Sequence, residues 1–192
     1  MPLFDQNYQG LPARSFNMLE TADRFSGLLG IALFIDTGLK QGEHVTLITF
    51  DAPEKVLDRF LKFGFDFQAM LDNEDFCILS YKASFSRSLN ISTDYQALFS
   101  EIKLLGGEKA SRFAFLNADL LFNLESHNLA TISVSKIHEA VRAVDGVVLA
   151  QFTTVEGEPH QRLREVCSSL LDCYLVISQV DNKMSLKVKA YH

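Results

Sequence analysis

Apolar residues along this chain alternate between short runs without helical spacing and longer stretches that recur every three to four positions. Residues 15–20, Ser-Phe-Asn-Met-Leu-Glu, predict a strand. Residues 25–40 predict a helix ended by Gly42, and residues 25–35 form the most apolar window of the chain. Residues 44–50 are rich in β-branched and apolar side chains and too short for a helix, so they predict a second strand. Asp51-Ala52-Pro53-Glu54 has the residues of a capping box, with Asp51 at the N-cap, and Val56, Leu57, Phe60 and Leu61 give the apolar stripe of a helix stopped at Gly64.

The alternation continues with a strand over 75–81, an exposed loop over 82–93 in which Arg87 is solvated, and a helix over 94–105 stopped by Gly106-Gly107. A fourth strand is expected at 112–117 and a helix at 130–144, with Ile132, Ile137, Ala140, Val141 and Val144 turned inward. A fifth strand over 146–152 and a short helix over 160–171 lead to strands at 172–180 and 184–191, paired as a hairpin around Asp181-Asn182-Lys183. Strands alternating with helices predict an α/β fold with a mainly parallel central sheet and an antiparallel C-terminal hairpin. Residues 1–14, which contain Gly10 and Pro12, are expected to be an irregular lead-in, and residues 15–192 one domain.

Gly10-Leu11-Pro12-Ala13-Arg14-Ser15, then Leu19-Glu20, eight loop residues, a helix, Gly38-Leu39-Lys40-Gln41-Gly42-Glu43 and Thr46-Leu47-Ile48-Thr49-Phe50-Asp51 resemble the RecA-like ATPases of the KaiC family. The likeness runs without a gap from Leu19 to Phe50, and Phe63-Gly64-Phe65-Asp66-Phe67 is similar to that family's Leu-Gly-Trp-Asp-Leu turn. It implies a RecA-like three-layer sandwich. The departure lies in the phosphate loop, where the family reads G-x-x-x-x-G-K-[ST]. The first glycine falls on Thr21, the second on Ser26, the lysine on Gly27 and the hydroxyl residue on Leu28, while Asp23, Arg24 and Phe25 fill the turn.

Each replacement removes a physical element of Mg-ATP binding. The glycines let backbone N–H groups curl around phosphate, the lysine supplies a cation and the hydroxyl ligates Mg²⁺. Loss of the lysine forfeits charge-assisted hydrogen bonds of about 1.5–3 kcal/mol each. Asp23 and Ser26 are better read as helix caps than as ligand contacts. Asp51 falls where the family carries an acidic residue that activates water, and a cap is at least as good a reading of it. Asn117 falls where the family's second nucleotide motif ends in Asp, with Asp119 two residues on, and a neutral amide supports Mg²⁺ poorly. Lys187 and Lys189 fall where assembled family members place a basic pair at the subunit interface; the plainer reading is an exposed face of an edge strand, since they alternate with Leu186, Val188 and Ala190.

Composition narrows the partners. A net charge of −6 with a pI near 5.3 disfavours a nucleic-acid or anionic-membrane surface, and the 47% apolar content with sixteen Phe marks a globular chain. Cys77, Cys167 and Cys173 form no C-x-x-C pair and read as reduced thiols of a cytoplasmic protein. No secretory leader or membrane span is expected. The five histidines lack ligand spacing, His138-Glu139 is followed four residues on by Arg142 rather than His, and there is no Gly-x-Ser-x-Gly elbow. The expectation is therefore a protein without enzymatic activity, cofactor or metal. It is a RecA-like pseudo-ATPase that assembles with itself, as a ring or dimer, or binds another RecA-like or regulatory protein. Two alternatives stand beside it: a sensor that takes a nucleotide or other ligand through Arg24, Asp51 or Asn117, and a monomeric adaptor or inhibitor of another protein.

Overall fold

The structure, a computed structural model, describes residues 11–73, 75–80, 100, 111–118, 127–154, 165, 170–180 and 183–191. The predicted loop over 82–93 with Arg87, nearly all of the predicted helices over 94–105 and 160–171, and Cys167 and Asp119 lie outside the described residues.

In chain order the elements are β1 (Phe16–Thr21), α1 (Arg24–Lys40), β2 (His44–Thr49), α2 (Pro53–Lys62), α3 (Gln68–Asp72), β3 (Phe76–Ser80), β4 (Ser111–Phe115), α4 (His127–Ala143), β5 (Val147–Thr153), β6 (Cys173–Val180) and β7 (Lys183–Tyr191). The strands form one seven-stranded sheet ordered β3-β2-β4-β5-β1-β6-β7. All neighbours run parallel except β6 and β7, which pair antiparallel. The fold is thus α/β, as the alternation of elements predicts.

Residues of alternate parity along each strand face opposite sides. One side carries Phe16, Met18, Ile48, Phe113, Phe115, Val148 and Ala150, packed against Val134, Ile137, Ala140 and Val141 of α4. The other carries Leu19, Val45, Leu47, Ala114, Leu149 and Leu175, packed against Leu28, Ile31, Ala32, Phe34 and Ile35 of α1 and Val56 and Phe60 of α2. Connections that travel one way across the sheet (β1 to β2, β2 to β3) use the α1/α2 face, and the β4 to β5 connection, which travels the other way, uses the α4 face. That segregation is what right-handed crossovers impose. Each fully buried Phe, Ile or Leu side chain contributes about 1.5–3 kcal/mol.

α1 has little amphipathicity because it lies across the middle of the sheet, touching β1, β5, β4 and β2. α2 is the opposite case, a surface helix burying only Val56 and Phe60. Leu61 is 57% exposed and does not belong to the inward stripe. On α4 the inward residues include Val134, while Ile132 is 56% exposed and points away. The misreading of Ile132 has a simple cause: Val134, Ile137, Ala140 and Val141 fix the buried stripe, and position 132 lies roughly 160° from position 134, since each residue turns 100° on a 3.6-residue period.

The Gly38-to-Glu43 segment grips a residue that the sequence did not single out. Arg112 at the start of β4 donates from Nε to Glu43 Oε2 and from Nη2 to Gln41 Oε1 at 2.7 Å, and its guanidinium lies 5.0 Å from the Phe34 ring centroid. A Cβ on Gly38 would come within 2.6 Å of Arg112 Cδ, so the aliphatic stem occupies the space that glycine leaves. Gly42 takes φ +74°, the left-handed turn that ends α1.

In the β6–β7 hairpin the register slips: Tyr174 faces Ala190 whereas Leu175 faces Val188, so Lys189 is an extra residue with no partner across the ladder. Its ammonium sits 5.3 Å from the Tyr174 ring centroid.

Candidate functional site

The C-terminal ends of β1, β2, β4 and β5 meet at one edge of the sheet, the edge at which parallel α/β folds place their ligands. Chain order puts the segment between β1 and α1 at its centre. Asp23 is the N-cap of α1 in extended geometry, φ −143° and ψ 159°. Its Oδ1 accepts from the Ser26 backbone N–H at 2.7 Å and its Oδ2 accepts from the Ser26 hydroxyl at 2.7 Å. Desolvation tends to raise the Asp23 pKa, but the hydrogen bonds from the Ser26 amide, the Ser26 hydroxyl and the Phe25 amide prevail and hold it below the ordinary 3.8. Asp23 thus caps α1 as read, Ser26 serves it as a donor, and the Ser26 amide and hydroxyl and the Phe25 amide are engaged by the chain's own carboxylate.

Behind this turn the space is filled by Gln151 of β5, which is 1% exposed. Its Nε2 donates to Thr21 Oγ1 at 3.1 Å and to Thr153 Oγ1 at 3.2 Å, and its Oε1 accepts from the Asn117 backbone N–H at 3.0 Å. Thr21 Oγ1 in turn donates to the Phe152 carbonyl at 3.3 Å. The amide presses so closely on α1 that a Cβ on Gly27 would lie 2.6 Å from Gln151 Nε2 and 2.9 Å from Thr21 Oγ1. Glycine is needed here because a side chain is already in the way. Asn117 adopts φ +56°, a left-handed conformation in which asparagine is enriched.

In front of the turn is an open cleft of about 460 Å³ lined by Arg24, Phe25, Leu28, Phe50, Asp51, Arg59, Lys62, Phe63, Leu116 and Asn117. Arg24 and Phe25 are exposed, Phe25 to 63%, and the Phe25 and Phe63 rings meet edge-on with centroids 4.5 Å apart. Asp51 is not a helix cap. Ala52 holds that position without a side-chain hydrogen bond, and the Asp51 carboxylate instead accepts from Arg59 Nη1 at 2.6 Å. The helix starts one residue later than the capping-box pattern predicts because Pro53 opens its first turn, leaving Asp51 free to reach the next-but-one turn of α2.

The structure therefore gathers Arg24, Phe25, Leu28, Asp51 and Asn117 into one cleft and packs Thr21, Ser26 and Gly27 behind it. It does not bring Lys187 or Lys189 there, since both are exposed on β7, the terminal strand of the sheet. Two residues near this edge, Gln151 and Glu20, were given no role from the sequence. Gln151 carries no motif. Glu20, 4% exposed at the end of β1, has its carboxylate held by the Thr154 hydroxyl at 2.8 Å and by the Tyr174 hydroxyl. Glu20 left a signal, a carboxylate closing the predicted strand right after Met18 and Leu19.

No family model matches this chain, and no curated protein matches it significantly. Its chemistry is thus read from the site alone. Among the described residues no cluster of three His, Cys, Asp or Glu side chains is arranged to hold a metal ion, and no helix is long and apolar enough to cross a membrane. Cys173 is buried and desolvation pushes its thiol up to about 12, with the Asp172 charge adding to the effect, so it is not an activated nucleophile.

Proposed function

We propose that this chain is a non-catalytic RecA-like protein, a pseudo-ATPase that works by assembling with itself or with another protein. The observation that carries the reading is the occupied turn before α1, where Asp23 satisfies the Ser26 donors and Gln151 fills the volume beneath Gly27. A scaffold with its phosphate cradle closed has no place for the charge that ATP hydrolysis moves. The mainly parallel sheet with an antiparallel end and helices on both faces supports the RecA-like assignment, which rests on the residues of the resemblance. Reduced, buried Cys173 supports a cytoplasmic setting.

Isothermal titration with ATP and Mg²⁺ tests the reading: no binding and no turnover are expected, and micromolar binding with hydrolysis overturns it. Light scattering then separates its forms. Self-assembly gives a concentration-dependent multiple of 21.6 kDa, whereas an adaptor or inhibitor stays single and captures one heterologous partner.

A second reading, a sensor for a small ligand, is favoured by the separate cleft in front of the closed turn. Its volume lies within the range of small-molecule sites, and it combines aromatic walls with charged groups. Saturating ligand would raise the melting temperature by mass action.

A further inference from the structure

We infer that the cleft between α1 and α2 binds a small dianion carrying a flat ring, of the class of a nucleoside monophosphate, with the anion on Arg24 and Lys62 rather than on the amides of α1. The inference rests on the sensor reading of this cleft and specifies its ligand.

The charge of the cleft suits an anion. On a protein with net charge −6, this cleft is lined by Arg24, Arg59 and Lys62 against the single carboxylate of Asp51. Arg59 is engaged with Asp51, so Arg24 and Lys62 set the field that a ligand meets. Among the described residues the Arg24 side chain has no hydrogen bond or ion pair, and the Lys62 ammonium is held by Asp58 in an exposed pair one helical turn away. Such a pair is screened by water and yields readily to a better-placed anion. Two available cations match two negative charges. A triphosphate brings more charge than they neutralise, and Asp51, already paired, is poorly placed to hold the Mg²⁺ that would compensate.

The walls suit a flat ring. Phe25 is a large aromatic residue left 63% exposed at the mouth of the cleft, braced edge-on by Phe63 with 4.5 Å between centroids. An exposed, braced ring beside cations offers a face for stacking while the cations take the charged end. Leu28 and Leu116 give an apolar floor, and Asn117, fixed in its left-handed turn by the Gln151 bond to its backbone N–H, adds an amide that can both donate and accept. The turn that excludes a phosphate cradle thus defines one wall of a different site.

The test is a titration of the full chain with AMP, adenosine and inorganic phosphate, followed by calorimetry and by amide shifts in the NMR spectrum. AMP is expected to bind about tenfold or more tightly than either fragment, and Arg24→Glu and Lys62→Glu are each expected to weaken it about tenfold, while the remote exposed Lys40→Glu leaves it unchanged. Phe25→Ala is expected to reduce AMP to the affinity of phosphate. The inference is overturned if AMP binds no better than phosphate or if Arg24→Glu leaves its affinity intact. Circular dichroism of each variant confirms folding, because all four positions are exposed. These outcomes leave the pseudo-ATPase reading standing, since that is decided by Mg-ATP turnover and by mass in solution.

Discussion

Gly27→Ala is the most informative single change, because helix propensity and packing predict opposite signs. In an unobstructed helix the substitution stabilises by about 1 kcal/mol. Here the new Cβ would lie 2.6 Å from Gln151 Nε2, 2.7 Å from Gln151 Cδ and 2.9 Å from Thr21 Oγ1. Overpacking of this kind costs about 1–3 kcal/mol. Moving the Gln151 amide also breaks its bond to the Asn117 backbone N–H, a part-buried donor at the cleft, which adds about 0.5–1.5 kcal/mol. The net expectation is a loss of about 0.5–3.5 kcal/mol, read as a lower urea midpoint at unchanged slope by circular dichroism. The decisive comparison is the same substitution in a Gln151→Ala background. With the amide gone, the cost is expected to fall by at least about 1 kcal/mol, with the Thr21 contact accounting for the remainder. Equal costs in the two backgrounds would show that Gln151 does not fill the space beneath α1 and that the turn before the helix is not closed from behind.

Other perturbations probe the same framework. Asp23→Ala is expected to cost about 1 kcal/mol by removing the N-cap. Because the folded-state pKa of Asp23 is depressed, wild type keeps this contribution above pH 3.8 and loses it as pH falls through the folded value, so the two proteins should converge in acid unfolding. Arg112→Leu should destabilise by about 2–3 kcal/mol by leaving Glu43 unpaired in a half-buried site, and Arg112→Lys should not restore it, since lysine lacks the fork that reaches both Glu43 and Gln41. His138 is held below its ordinary 6.5, chiefly by desolvation, against the raising effect of Asp172 at 3.2 Å. A depressed folded value means stability is lost as pH drops below 6.5, so urea midpoints of wild type should fall there more steeply than those of His138→Gln.

The sequence was most legible where a single physical signal fixes an element. Strand β1, helix α1 and strand β2 were placed within one residue at each end, because Gly42 and the change from helical to β-branched composition mark their limits. The cap by Asp23 was legible because an Asp three residues before Ser, at the entry of an apolar helix, has a local use for its carboxylate. Asp51 was misassigned because two local uses competed, and the outcome depended on where Arg59 would fall two turns later. Gln151 was invisible for a different reason: its role depends on a neighbour 130 positions away in sequence, a relation that no local pattern encodes. The cleft shares that property, since Arg24, Asp51 and Asn117 converge only when β1, β2 and β4 are ordered in the sheet.

The displaced register at Lys189 has a further effect on how this molecule can meet others. A bulge bends and twists the strand that contains it, and β7 forms the margin of the sheet. An incoming strand from a second copy would find straight main chain over only part of that length and then meet a kink guarded by a cation. Growth of a ribbon by annealing along β7 is thereby discouraged, and the opposite margin, β3, offers only five residues of strand.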